Sequence, residues 1–149
     1  MRHTNIKLLL SLLLIVVGCS KMDIDNRDTY LTNIATSDCL FSTDTEAAKD
    51  LAPDSIVVTL TDWTLSVTHS NMLLDCGSGE NIVTTMELVG DTIKVTENVG
   101  EQGITDCICL YNNSFQIRNL PPSPFTLVIQ EMSSYFDNIQ RRIVYQHTF

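Results

Sequence analysis

Over the last two-thirds of the chain, apolar and polar residues alternate with a period of two. Ser55 to Leu60 (SIVVTL) is a β-branched run, and the stretch after it places Trp63, Leu65, Val67 and His69 on one face. Asn81 to Val89 and Thr92 to Glu97 flank Gly90-Asp91, the spacing of a tight hairpin. Cys107 to Tyr111 and Ser114 to Arg118 flank Asn112-Asn113, a second turn candidate. Phe125 to Gln130 follows a proline-rich turn and puts Phe125, Leu127 and Ile129 on one face; Arg142 to His147 closes the chain. The prolines keep Asn119 to Pro124 out of any ladder. Helical periodicity is absent from Ser55 to Phe149. About seven or eight short strands, with turn signals every ten or so residues, predict an all-β fold: an antiparallel sandwich or barrel. Its 95 residues, 55–149, are close to the ~100 of an immunoglobulin-like sandwich.

The first 54 residues read differently. Arg2 and Lys7 precede an apolar run from Leu8 to Val17, broken only by Ser11. Ten residues engage export machinery but fall short of the ~20 of a membrane-spanning helix, so 1–18 is expected to be a signal peptide. From Ser20 to Asp54 the chain is rich in Asp, Thr, Ser and Asn, with little periodicity. Residues 19–54 are therefore expected to form a flexible acidic tether, with one short helix at Thr43 to Leu51.

Val16-Val17-Gly18-Cys19 ends the apolar run and resembles the lipobox of bacterial lipoproteins. The resemblance implies cleavage before Cys19 and fatty-acyl chains of the palmitate type on that cysteine. Two or more chains make a stable membrane anchor where one gives only marginal binding. Ser20 follows, not the Asp that holds many such proteins at the inner membrane, which implies an outer-membrane address. Lys21-Met22-Asp23-Ile24-Asp25 resembles the tether by which Bacteroidota send lipoproteins to the cell surface.

Charge narrows the partners. Without Arg2 and Lys7 the chain carries 7 basic and 18 acidic side chains, a formal charge of −11. Nucleic-acid binding needs clustered Lys and Arg, and the one basic pair, Arg141-Arg142, reads as a solvated strand end.

Two further likenesses bear on the fold. Phe115 to Ile129 resembles the strand, Leu-Pro turn and strand passage of transthyretin-like and other secreted sandwich domains, with Ser123-Pro124 where Gly is usual. Trp63, His69-Ser70-Asn71, Cys76, Gly90-Asp91, Glu97 and the strand Cys107-Ile108-Cys109-Leu110-Tyr111-Asn112 together resemble a group of small Bacteroidota lipoproteins of unassigned function. That likeness implies an envelope address and a sandwich, and no activity.

With Cys19 given to lipid, Cys39, Cys76, Cys107 and Cys109 remain. In an oxidising compartment they are disulfide candidates. Cys107 and Cys109 lie two apart in a strand, about 6.5–7 Å by strand rise, which strains a bond between them. The relaxed pairings join Cys76 to one of them and leave the other for Cys39. Alternatively His69, Cys76, Cys107 and Cys109 form a three-cysteine, one-histidine zinc set, or the thiols pack unpaired.

Other constellations are weaker. Gly77-Ser78-Gly79 lacks the Gly-x-Ser-x-Gly elbow. Asp75, Glu80 and Asn81 offer a weak calcium loop, more often a solvated turn, and Asp23 to Asp28 lacks the glycine of an EF-hand. Trp63 is expected to plug the core; Tyr111, Tyr135 and Phe136 are the candidates for an exposed aromatic patch. Asp54-Ser55-Ile56 and Asp91-Thr92-Ile93 resemble O-glycosylation triplets of Bacteroidota exported proteins. The expectation is a lipid-tethered, non-catalytic binding or accessory module without cofactor, contacting a glycan or an envelope protein. A purely structural lipoprotein held by disulfides is the alternative, and a metal-binding module the third.

Overall fold

The computed structural model describes residues 28–44, 53–78, 81–102, 106–135 and 138–149. The expected signal peptide, Cys19, the Lys21 to Asp25 segment and most of the expected helix lie outside them. Among the described residues there are nine strands: β1 (Tyr30–Thr36), β2 (Phe41–Asp44), β3 (Ser55–Thr61), β4 (Thr64–Asp75), β5 (Val83–Val89), β6 (Thr92–Glu101), β7 (Cys107–Arg118), β8 (Thr126–Tyr135) and β9 (Asn138–Thr148).

They form two packed sheets, an all-β sandwich as the alternation predicts. One sheet has the order β1-β7-β4-β3, with β2 also on β7; the other runs β5-β6-β8-β9. Every pairing is antiparallel except β6 with β8. Parallel neighbours need a long crossover. Here β7 supplies it, leaving the second sheet after β6 to run through the first before the chain returns as β8. The β5–β6 hairpin turns at Gly90-Asp91, where Val89 faces Thr92 and Gly90 has φ +63°, a backbone that glycine adopts without Cβ strain.

Several expectations are corrected. Residues 19–54 are not all tether, because β1 and β2 lie end to end along the same edge of β7. Tyr30 to Thr36 pair with Arg118 to Asn113, and Phe41 to Asp44 with Leu110 to Cys107. Between them the chain stays attached through Ser37 N–H to Asn112 O and Leu40 N–H to Leu110 O, both 2.9 Å. Backbone pairing outweighs the polar composition that marked this segment as a spacer. Thr43 and Asp44, expected in a helix, are in β2. Asn112-Asn113 is no turn; β7 is one strand of 12 residues. β8 continues past Gln130 to Tyr135 and β9 opens at Asn138, before Arg142, so both strands are longer than expected.

Trp63 is the clearest reversal. Asp62 and Trp63 form the β3–β4 turn with φ +46° and +61°, and the indole is 67% exposed. The alternation through Leu65, Val67 and His69 does point inward, but it starts after the turn.

The interior holds two apolar clusters. The larger contains Leu65, Val67, Ile93, Val95, Phe115, Ile117, Phe125, Leu127 and Ile129. The smaller contains Met72, Leu74, Val99, Cys109 and Tyr111. Between them β4 changes phase. Leu65, Val67 and His69 face inward before a register shift at Ser70-Asn71; Met72 and Leu74 face inward after it. Asn71 takes φ +61° there, and its N–H donates to Asn112 Oδ1 at 3.0 Å. A β-bulge of this kind adds one residue and re-aims the strand.

The position of Trp63 is directly testable. Its emission should match indole in water and be readily quenched by acrylamide, and Trp63→Ala should change stability by less than about 0.5 kcal/mol. Blue-shifted, shielded emission would put the ring back in the core.

Candidate functional site

Two features concentrate chemistry: a cysteine cluster at one end of the sandwich, and a polar layer across its middle. The cluster results from register. Leu74 faces Cys109 and Asp75 faces Ile108, so Cys76 arrives beside Cys107, and its N–H donates to Cys107 O at 3.0 Å. Cys39 sits in the break between β1 and β2, over Cys109. The bonds are Cys39–Cys109 and Cys76–Cys107, each with Cα atoms 5.5 Å apart, a usual disulfide separation. This is one of the two relaxed pairings that the sequence leaves open, with Cys76 on Cys107 and Cys39 on Cys109. Sequence separations of 70 and 31 make each worth roughly 4 kcal/mol on a chain-entropy basis. Two such bonds point to an oxidising compartment, extracellular or periplasmic.

The disulfides touch. Cys76 Sγ lies 3.1 Å from Cys109 Sγ, and the sulfurs of Cys76, Cys107 and Cys109 lie within 4.8 Å of one another. His69 does not join them, so the set His69, Cys76, Cys107 and Cys109 is not assembled as a metal site. The imidazole is held by Glu97 instead, and the thiols are spent on disulfides. Burial grades across the cluster: Cys109 is 2% exposed, Cys76 and Cys107 are half-buried, and Cys39 is exposed.

Around the cluster lie two open clefts that meet at Gly77. One, of about 390 Å³, runs between Thr36–Cys39 and Ile82. The other, of about 380 Å³, lies between Cys76–Ser78, Asn81 and Gly100-Glu101. Gly77 has φ +88°, and its N–H donates to the Tyr111 hydroxyl at 3.0 Å. Tyr111 is therefore not part of an exposed aromatic patch; it is 3% exposed, with its hydroxyl engaged. The Tyr135 side chain and Phe136 lie outside the described residues. Ser78 Oγ accepts from Gln102 Nε2 at 3.2 Å, and Asn81 Nδ2 donates to Gly77 O at 3.3 Å, so this loop is tied to itself. Asp75 is buried, and Glu80 also lies outside the described residues.

The polar layer was hidden by alternation. β6 sends Ile93, Val95, Glu97 and Val99 inward; β7 sends Cys109, Tyr111, Asn113, Phe115 and Ile117. A polar residue at an inward position within an apolar series was the available signal, and it marks Glu97 and Asn113. His69 and Glu97 are both 0% exposed. His69 Nδ1 donates to Glu97 Oε2 at 2.7 Å, and Asn113 Nδ2 donates to Glu97 Oε1 at 2.7 Å and to Thr84 Oγ1 at 2.9 Å. Thr36 Oγ1 completes the group, donating to Asn113 Oδ1 at 3.2 Å. His69 is thus a central buried residue.

On its other side, His69 Nε2 lies 3.9 Å from Asp54 Oδ2, too far for a hydrogen bond, and has no hydrogen-bond partner among the described residues. Asp54 accepts from Arg142 Nη2 at 2.7 Å, and Arg142 also reaches Glu131 Oε2 at 2.9 Å. These two carboxylates, Glu131 foremost, raise the Arg142 pKa. Arg142 is not simply solvated: it ties β9 to the residue before β3 and so joins the two sheets at their edge. A third cleft, of about 420 Å³, lies against Asp54, Leu73 and Arg142.

Removing one member of the buried group strands the others. Glu97→Ala leaves His69 Nδ1 unpartnered and takes one acceptor from Asn113, and should lower unfolding free energy by about 3–5 kcal/mol in urea titrations. A loss below about 1 kcal/mol would mean that the bonds are not formed. Comparison of the chain with protein-family models, with curated proteins and with solved structures finds no match, so its kinship remains at the level of architecture: a small all-β protein of two packed sheets.

Proposed function

We propose that this protein is a lipid-anchored, non-catalytic binding module of the cell envelope that holds a glycan or protein partner at its cysteine end. The supporting observation is the pair of clefts meeting at Gly77, built on a base that two disulfides hold in place. Their walls offer the groups that recognise sugar hydroxyls or a polar peptide: the Ser37 hydroxyl, the Asp38 and Glu101 carboxylates, and the Asn81 amide. A rigid, preorganised wall lowers the ordering cost of binding. The net charge of −9 argues against polyanionic partners.

The non-catalytic part of the reading is supported by where the His69–Glu97 pair sits. His69 and Glu97 are buried, so their bond serves the interior. The envelope address draws on the disulfides, which fit an oxidising compartment, and on the lipobox resemblance of Val16 to Cys19. An outer-membrane position rests on Ser20 and the Lys21 to Asp25 resemblance.

Anchoring is tested by Cys19→Ser in cell fractionation, with the protein expected to leave the membrane pellet for the soluble fraction. Unchanged sedimentation rejects the anchor. Binding is tested by calorimetry of the detergent-solubilised chain with a panel of envelope polysaccharides and peptidoglycan fragments. Asp38→Ala and Asn81→Ala should each weaken a positive interaction by about tenfold, the equivalent of one good hydrogen bond. Binding that ignores both variants rejects this site, and no binding to any member favours a purely structural lipoprotein, the reading that the two disulfides alone would support.

A further inference from the structure

The contact between the two disulfides carries a second, independent conclusion. We propose that Cys39, Cys76, Cys107 and Cys109 form one thiol–disulfide exchange unit, in which electrons from an external dithiol enter at Cys39 and the resulting thiol moves inward and out again to Cys107. It does not rest on the binding reading, since it concerns covalent chemistry at the sulfurs alone.

Accessibility determines where the reaction starts. Cys39 is the exposed partner of its disulfide and Cys109, 2% exposed, is the buried one, so an incoming thiolate reaches Cys39 Sγ. A donor–Cys39 bond forms, the Cys39–Cys109 bond breaks, and its electron pair stays on Cys109 Sγ. The donor's second thiol then closes on the mixed disulfide. It releases Cys39 as a thiolate and leaves as an oxidised dithiol, having given two electrons. Asp38 beside Cys39, with the net charge of −9, favours a dithiol whose only negative charge is the attacking sulfur over a thiol that also carries carboxylates.

Proximity determines the inner step. Cys109 Sγ stands 3.1 Å from Cys76 Sγ, in contact with the second disulfide. Its thiolate forms a Cys76–Cys109 bond as the Cys76–Cys107 bond breaks, and the electron pair passes to Cys107 Sγ. No further reductant is consumed. Burial provides the direction. A thiolate at Cys109 is desolvated, whereas Cys107 is half-buried and better hydrated, so the charged form is favoured at Cys107. The product holds one disulfide, Cys76–Cys109, and thiols at Cys39 and Cys107 that take up one proton each. It also frees the Ser37–Leu40 segment from its covalent tie to β7.

Peptide mapping decides the matter. The full-length folded protein is treated with one equivalent of dithiothreitol, quenched in acid and alkylated. The expected two-electron product has Cys39 and Cys107 alkylated and Cys76 bonded to Cys109. Recovery of Cys39 and Cys109 alkylated with Cys76–Cys107 intact would overturn the proposal, as would reduction of Cys76–Cys107 first or an all-or-none jump to four thiols. Cys39→Ser tests the inner step without reductant: Cys107 should be alkylated several-fold more than Cys109, whereas Cys109 as the sole reactive thiol would overturn it. If that variant does not fold, the wild-type mapping stands by itself.

Discussion

The fold turns on a hydrogen bond that water would ordinarily replace, the one between His69 on β4 and Glu97 on β6, buried where the two sheets face each other. Taking such groups out of water costs several kcal/mol per charge, which hydrogen bonds within the interior offset. Here Asn113 on β7 donates to the other carboxylate oxygen and is held in turn by Thr84 on β5. Four strands of both sheets are thereby required at one height. A one-residue slip is already forbidden by the apolar residues it would expose, whereas a two-residue slip in β4, β6 or β7 would keep them inside but carry the polar member away from its partners, so the layer selects among those registers. Burial of Val and Ile alone discriminates registers less sharply.

That layer also divides the core. Nine apolar residues pack on one side and five on the other, one of which is Cys109. The smaller cluster has less apolar surface with which to offset chain entropy. Both disulfides occur on that side, joining the β1–β2 break and the end of β4 to the start of β7. Cross-linking thus supplies order where packing is thinnest, and the clefts inherit a stiff floor.

At the opposite flank the polar layer continues outward. Asp54 approaches His69 Nε2 and, through Arg142, reaches Glu131 beside Glu97 on the neighbouring strand. These surface bonds are worth little individually in water. Their importance lies in position, since they join the open edges β3 and β9, where no backbone ladder connects the sheets.

Much of this architecture was legible from residues alone. Period-two alternation established an all-β fold, Gly90-Asp91 marked a hairpin because few other dipeptides accept that turn, and strand rise disfavoured a bond between Cys107 and Cys109. These are properties of neighbours a few residues apart, which a one-dimensional pattern records. Tertiary structure alone decided the rest. It enlisted the polar segment Tyr30 to Asp44 as an edge strand, which depends on a partner more than sixty residues away. It kept Asn112 and Asn113 in mid-strand, since Asn113 finds Glu97 and Thr84 only across the sandwich. It turned Trp63 outward, because the β3–β4 turn consumed the position at which alternation would have buried it. Each outcome was set by contacts between residues remote in sequence, and no local pattern encodes which distant group will satisfy a buried donor or close an open edge.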